Sequence, residues 1–251
     1  MPNYDSGPIE NHPVVSHDQW LEARVALLER EKDFSRARDE LSRQRRELPW
    51  ERVDKTYVFD GPNGKETLAD LFDVKRQLVV YHFMYAPEWN EGCKHCSFWA
   101  DSFDAIGVHG EHLAHRDTAF AVISRAPSAK LEAFKKRMGW SFKWVSSGNT
   151  DFNYDYFVSF RPEEMKTKSG FYNYRKGESG PEREGLSAFY RDENGQIFHT
   201  YSTFARGIDL LNTTYNMLDL TAKGRDEDHL GGDVQAWVRY HDRYEGVGAS
   251  R

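Results

Sequence analysis

The chain has only two cysteines among its 251 residues, Cys93 and Cys96. Two thiols in a cytosolic chain of this length cannot make a disulfide framework and are more often catalytic or metal-binding. Long apolar runs are also missing: no stretch of about 18 apolar residues occurs, so we expect no membrane span. The first fifteen residues lack the basic and apolar regions of a signal peptide, which predicts a cytoplasmic protein.

An excess of positive charge is absent as well. The formal net charge is -6, which argues against a dedicated nucleic-acid binder. Hydrophobic residues make up 39% and charged residues 29% of the chain, as in soluble globular proteins. Aromatic side chains are plentiful at 14%, which predicts a core or cleft rich in Trp, Tyr and Phe.

The hydrophobic pattern predicts three consecutive parts. Residues 1–48 form a flexible lead and a charged helical arm, which Ser16 and Gln19 begin with a capping box. Residues 49–224 alternate buried strands with helices, an α/β order whose strands include QLVVYHFMY, TAFAVIS and KWVSS. Residues 225–251 form a tail with a short helix over GGDVQAWVRYHDRYEG.

Within the middle part, three further segments carry predictions. The aromatic stretch 148–185 is predicted to be irregular, although its composition is too ordered for a linker. LSAFYRDENGQIFHTYS predicts a hairpin, because two alternating runs surround an Asn-Gly turn. GIDLLNTTYNMLDLTAKG predicts an amphipathic helix that closes this part of the chain.

The two cysteines form a Cys-x-x-Cys, which allows haem attachment, zinc binding or dithiol exchange. Covalent haem attachment needs a histidine directly after the second cysteine, where this chain has Ser97, so it is excluded. Zinc stays open, because His109 and His115 complete a loose zinc-finger spacing; the buried strand before the pair argues against a finger. A pair of small buried hydrophobic side chains is a further alternative.

Dithiol exchange has support from the position of the pair between the buried strand and a predicted helix. A cysteine at a helix N-terminus is stabilised as thiolate by the helix dipole and the exposed N–H groups. Lys94 and His95 add cationic or donor groups beside Cys93. Cys96, one helical turn further on, is then the more buried thiol that resolves a mixed disulfide.

Aromatic residues near the pair are candidate substrate contacts. Trp89 lies just before the cysteines and could dock or shield a substrate, and Tyr154 and Tyr156 could line a cleft. An ordered aromatic loop packed on the sheet explains the two tyrosines equally well.

The chain also resembles a bacterial family of unknown function, on FMYAPEWNEGCKHCSFWADSFD, SSGNTDFNYDYFVSF and GIDLLNTTYNMLDLTAKGRDE. The resemblance covers roughly residues 11–244, and the family's members are described as predicted dithiol–disulfide oxidoreductases. It implies an α/β, thioredoxin-like fold of the peroxiredoxin type, with a central mixed sheet flanked by helices. It assigns Cys93 as nucleophile and Cys96 as resolving thiol, with His95 in the place of the histidine of strongly oxidising enzymes. Ser187 or its neighbours occupy the region of the thioredoxin cis-proline.

These observations together predict thiol–disulfide exchange on a protein or small-molecule disulfide or thiol. The alternative is a thioredoxin-fold protein that binds a ligand or metal without redox turnover. The peroxiredoxin motif is not met, since Asn90 stands where its hydroxyl residue would be, so peroxidase activity by the usual route is not expected. We expect no cofactor, no nucleic acid and no membrane partner, and a homodimer through the helical arm is one possibility.

Overall fold

The computed structural model describes residues 12–104 and 111–244. Its strands within these ranges are β1 (Glu51–Arg52), β2 (Val58–Gly61), β3 (Gly64–Thr67), β4 (Gln77–His82), β5 (Thr118–Ser124), β6 (Lys143–Ser146), β7 (Gly170–Tyr172), β8 (Arg175–Gly177), β9 (Gly185–Arg191) and β10 (Ile197–Phe204). Its α-helices are α1 (His17–Arg46), α2 (Leu68–Leu71), α3 (Lys94–Phe103), α4 (Glu111–Ala114), α5 (Ser128–Met138), α6 (Phe152–Asp155), α7 (Pro162–Thr167) and α8 (Thr213–Leu218). Residues 205–211 and 241–243 form 3₁₀ turns.

Eight strands form one mixed sheet in the order β1-β10-β9-β4-β5-β6-β2-β3, and β7 pairs with β8 alone. The central strand β4 runs parallel to β5 and antiparallel to β9. Helix α3 connects toward β5, while β9 and β10 form the predicted hairpin. The expected α/β class, a central mixed sheet flanked by helices with an N-terminal helical arm, is confirmed.

Successive residues of β4 point to opposite faces of the sheet, and apolar side chains lie on both faces. The sheet is therefore buried on both faces. Tyr81 packs in a core that includes residues of α3 and α5, here called the thiol-side core. Leu78 and Val80 pack in a second core with residues of α2 and α6, here called the opposite core. Each fully buried large apolar side chain contributes about 1.5–3 kcal/mol, so the two cores hold β4 firmly in place.

Helix α1 extends from the domain as an exposed arm. Ser16 caps it and Gln19 completes the capping box, as predicted, and none of its residues is buried. The arm leaves apolar side chains such as Trp20 and Phe34 exposed. The homodimer through this arm stays a prediction. No helix in the described ranges has the length and apolar character that crossing a membrane requires.

Two helix predictions near the C-terminus are wrong. The closing helix is divided by Asn212, whose buried side chain accepts a hydrogen bond from the backbone N–H of Tyr215 and so begins α8 anew. The terminal helix is absent from the described residues 231–244 apart from one 3₁₀ turn. Gly231 and Gly232 both have positive φ, which a helix cannot accommodate. The stretch 148–185, predicted to be irregular, contains α6, α7 and the β7–β8 hairpin.

Candidate functional site

The cysteine pair lies at the carboxyl end of β4, although a spacer of ten residues, 83–92, separates the pair from the strand. The spacer is a loop that returns to its start: the backbone N–H of Cys93 donates to the carbonyl of Met84 at 3.0 Å. Within the loop, the hydroxyl of Tyr85 donates to the carbonyl of Asn90 at 3.0 Å. The spacer therefore delivers Cys93 to the end of the central strand instead of moving it away.

Cys93 is the N-cap residue of α3, and its side chain makes no capping hydrogen bond. Its carbonyl accepts from both the backbone N–H and the hydroxyl of Ser97, each at 3.0 Å, which fixes the first turn of the helix. Cys96 is 1% exposed, and its sulfur accepts the backbone N–H of Met84 at 3.4 Å. The two cysteines are 4.0 Å apart, and both are free thiols.

The two thiols have opposite electrostatic surroundings. The hydrogen bond from Cys96 holds the pKa of Cys93 well below its ordinary value, and contact with His95 adds to this effect against the cost of burial. Burial, and then the neighbouring Cys93 thiolate, raise the pKa of Cys96 well above its ordinary value. The pair thus has one thiol prepared to ionise and one kept protonated.

His95 stands between the pair and the C-terminal segment. Burial acts to lower its pKa, but the adjacent Cys93 thiolate reverses this, so that the pKa of His95 is raised. Its Nε2 lies 3.9 Å from Oδ2 of Asp233 and has no hydrogen-bond partner among the described residues. Lys94 is the first residue of α3 and therefore lies directly beside Cys93 in the chain.

The C-terminal segment, residues 233–244, packs over the beginning of α3. The hydroxyl of Tyr240 donates to the carbonyl of Gly92 at 2.7 Å. Trp237 meets Phe98 edge-on, with ring centroids 5.4 Å apart. Cys93 is consequently only partly exposed.

Tyr81 is a residue of this site that sequence reasoning missed. It lies in β4 on the same face as Phe83 and is fully buried. Burial, with Cys96 beside it, raises the pKa of Tyr81 well above its ordinary value. The alternation of strand residues puts Tyr81 on one face of β4, but only the position of α3 shows that this face carries the thiols.

The candidate substrate contacts from the sequence are divided between the two faces of the sheet. Trp89 packs against the thiol-side core, as Cys93 does. Tyr156 packs in the opposite core, and Ser187 faces the same way, because it lies directly across from Val80 of β4. The ring of Tyr154 lies between two guanidinium groups, those of Arg125 at 4.9 Å and Arg161 at 4.4 Å.

Ser187 belongs to a buried chain of hydrogen bonds on that opposite face. Its hydroxyl contacts Nε2 of His82 at 2.8 Å and the hydroxyl of Ser202 at 2.8 Å. Ser202 in turn contacts Nε2 of His199 at 2.7 Å. These contacts satisfy polar groups that the sheet buries.

Metal-binding residues do not converge in the described part of the chain. No three His, Cys, Asp or Glu side chains there are grouped to hold an ion. His109, one of the histidines in the zinc-finger spacing, lies outside the described residues.

Comparison with solved structures finds matches at low sequence identity. Peroxidoxin BcpB from Mycobacterium tuberculosis matches with a TM-score of 0.42 and 13% identity, over 66% of this chain and 94% of that one. A PrxQ variant from Xylella fastidiosa matches with a TM-score of 0.41 and 11% identity, over 68% of this chain and 96% of that one.

Comparison with curated proteins finds no match. A family model described as "Bacterial protein of unknown function (DUF899)" matches residues 9–244. The match spans the arm, the sheet, the cysteine pair and the C-terminal segment, and the resemblance in the sequence is thereby confirmed. The chain belongs to this bacterial family of unknown function.

Proposed function

We propose that the protein performs thiol–disulfide exchange, with Cys93 as nucleophile and Cys96 as resolving thiol. The observation that carries the proposal is the asymmetry of the pair. Cys93 is the N-cap residue of α3 and has a lowered pKa, whereas the buried Cys96, 4.0 Å away, has a raised one. This is the division of roles that a two-cysteine exchange requires.

The exchange proceeds in two displacements. The Cys93 thiolate attacks one sulfur of a substrate disulfide, and the other substrate sulfur leaves with the electron pair and takes up a proton. Cys96 then loses its proton and attacks the sulfur of Cys93, which closes the Cys93–Cys96 disulfide and releases the second substrate thiol. The same steps in reverse oxidise a dithiol substrate.

Two residues beside Cys93 have supporting roles in this proposal. His95, whose pKa the Cys93 thiolate raises, stabilises that thiolate and can give a proton to the departing sulfur. Lys94 adds positive charge at the same helix end. Trp89, partly buried against the same core as Cys93, offers an apolar surface to the substrate.

The proposal is tested by reduction of insulin disulfides with dithiothreitol as electron source. The wild-type protein is expected to accelerate the reaction, and Cys93→Ser to abolish the acceleration. Cys96→Ser is expected to lose turnover but to accumulate a mixed disulfide at Cys93, which mass spectrometry detects. Activity that survives in Cys93→Ser would contradict the proposal.

A further inference from the structure

A cavity of about 320 Å³ lies beside Cys96. Cys96 borders this cavity together with Tyr81 and His95, whereas Cys93 is not among the described residues that line it. The two cysteines therefore have different surroundings: Cys93 is partly exposed, whereas Cys96 is buried and borders the cavity. A volume near the lower end of the range for ligand pockets fits a small molecule of about amino-acid size.

Two polar atoms at this cavity have no hydrogen-bond partner among the described residues. One is the hydroxyl of Tyr81, a side chain with no exposed surface, and the other is Nε2 of His95. Leaving a buried donor unsatisfied is costly, and native proteins seldom do so without a reason. A ligand with oxygen acceptors in the cavity would supply both missing partners.

The cavity wall carries charges of both signs. Arg183 and Arg206 contribute guanidinium groups, and Glu184 and Asp209 contribute carboxylates. Such a wall suits a zwitterion better than a ligand of a single charge. Together with the small volume, this indicates a compact molecule that has both a carboxylate and an ammonium group.

We propose that a low-molecular-weight thiol of amino-acid type enters this cavity and reduces the Cys93–Cys96 disulfide by attacking the sulfur of Cys96. The proposal rests on the exchange reaction proposed above and names its electron donor. Attack at Cys96 makes Cys93 the leaving group, and a thiol with a lower pKa leaves faster. Attack at Cys93 would instead expel Cys96, whose pKa is raised.

The chemistry consumes two molecules of the small thiol. The first thiolate bonds to the sulfur of Cys96, the disulfide breaks, and its electron pair leaves on Cys93, which the N-terminus of α3 and His95 stabilise. A second thiolate attacks the small molecule's own sulfur in the mixed disulfide and releases it as a symmetric disulfide. Cys96 leaves with the electron pair, and its sulfur accepts a hydrogen bond from the backbone N–H of Met84 and takes up a proton from solvent. Two electrons pass from the small thiols to the protein.

The attacked sulfur can be identified by trapping. The protein is oxidised to its Cys93–Cys96 disulfide, mixed with L-cysteine, quenched with acid and alkylated with N-ethylmaleimide, and its peptides are mapped by mass spectrometry. The proposal expects cysteinylation on Cys96 and the maleimide on Cys93. The reverse labelling overturns this inference and leaves the exchange reaction intact. If the oxidised protein forms no Cys93–Cys96 disulfide, both the exchange reaction and this inference are overturned.

A pair of valine variants tests the cavity independently. Val234 lines the cavity and is 46% exposed, so it stands at the opening, while the exposed Val74 is not among its lining residues. Val234→Trp is expected to slow reduction of the disulfide by L-cysteine about tenfold, because exchange depends on access to the sulfur, and Val74→Trp to leave the rate unchanged. Alkylation of Cys93 in the reduced protein should be equal in both variants, which shows that the pair is intact. Equal reduction rates in the two variants would overturn the proposal.

Discussion

The glycine before the nucleophile should not tolerate a methyl group. A Cβ built on Gly92 would lie 2.7 Å from Cε1 of Phe83 and 3.1 Å from Cε1 of Phe134. Ordinary carbon contacts begin near 3.5 Å, so the overlap with Phe83 is about 0.8 Å. Both rings are buried in the thiol-side core and pack against Trp140, so neither can move aside freely.

Overpacking of this kind costs about 1–3 kcal/mol, and the reduced freedom of the unfolded chain returns about 0.4–1 kcal/mol. We therefore expect Gly92→Ala to lower the free energy of unfolding by about 1–2 kcal/mol. The melting temperature should fall by about 2–4 °C for each kcal/mol in a protein of this size. Urea unfolding followed by tryptophan fluorescence measures the difference.

Gly177 provides a matched control, because a Cβ there would meet nothing within 4 Å and its φ is not positive. Gly177→Ala should be neutral or slightly stabilising. Adding Phe83→Leu to Gly92→Ala should cost less than the sum of the two single changes, since the smaller side chain relieves the overlap. If Gly92→Ala and Gly177→Ala are equally stable, the Cβ at position 92 does not overlap with Phe83 as the structure indicates.

Three further predictions concern histidines and the C-terminal segment. Burial lowers the pKa of His82 from 6.5 to about 3. As the pH falls from 6.5 toward 3, His82 therefore gains a proton in the unfolded chain but not in the folded one, and the free energy of unfolding should decrease. His82→Gln should show a smaller decrease over the same pH range. His95→Gln should raise the pKa of Cys93 and slow its alkylation at neutral pH, while replacing the exposed His112 of α4 by Gln should not, and equal effects would contradict the role of His95. Tyr240→Phe removes one hydrogen bond to the loop before Cys93, so unfolding measurements should show a loss of about 0.5–1.5 kcal/mol, and iodoacetamide should reach Cys93 faster.

Local patterns in the sequence were enough to predict the central strand and the helix that follows it. The continuous apolar run of β4 and the helical pattern after Cys93 are properties of adjacent residues. The structure has a strand and a helix there, although β4 ends at His82, before the end of the predicted run QLVVYHFMY. The return of the spacer was not predictable in this way. It depends on the hydrogen bond between Cys93 and Met84, and a ten-residue loop can equally well lead away from a strand.

The remaining differences between the predictions and the structure also depend on contacts between residues that are far apart in the chain. Alternation shows that Tyr81 and His82 point to opposite faces, but it does not show which face receives α3. Tyr156 and Ser187 therefore looked as close to the thiols as Trp89 did, although they lie across the sheet. The contact of the C-terminal segment with the site joins residues far apart in the chain, and no local pattern predicts it.

The proposed exchange requires the thiols of Cys93 and Cys96 to ionise in very different pH ranges. The most direct test is the rate of iodoacetamide alkylation of the reduced protein as a function of pH, with peptide mass spectrometry to separate Cys93 from Cys96. We expect Cys93 to react as a thiolate at pH values well below the ordinary pKa of a thiol. Cys96 should stay unreactive at pH values around that pKa. A Cys93 that titrates like a free thiol, with a pKa of about 8.5, would contradict this expectation, and so would parallel titration of the two cysteines.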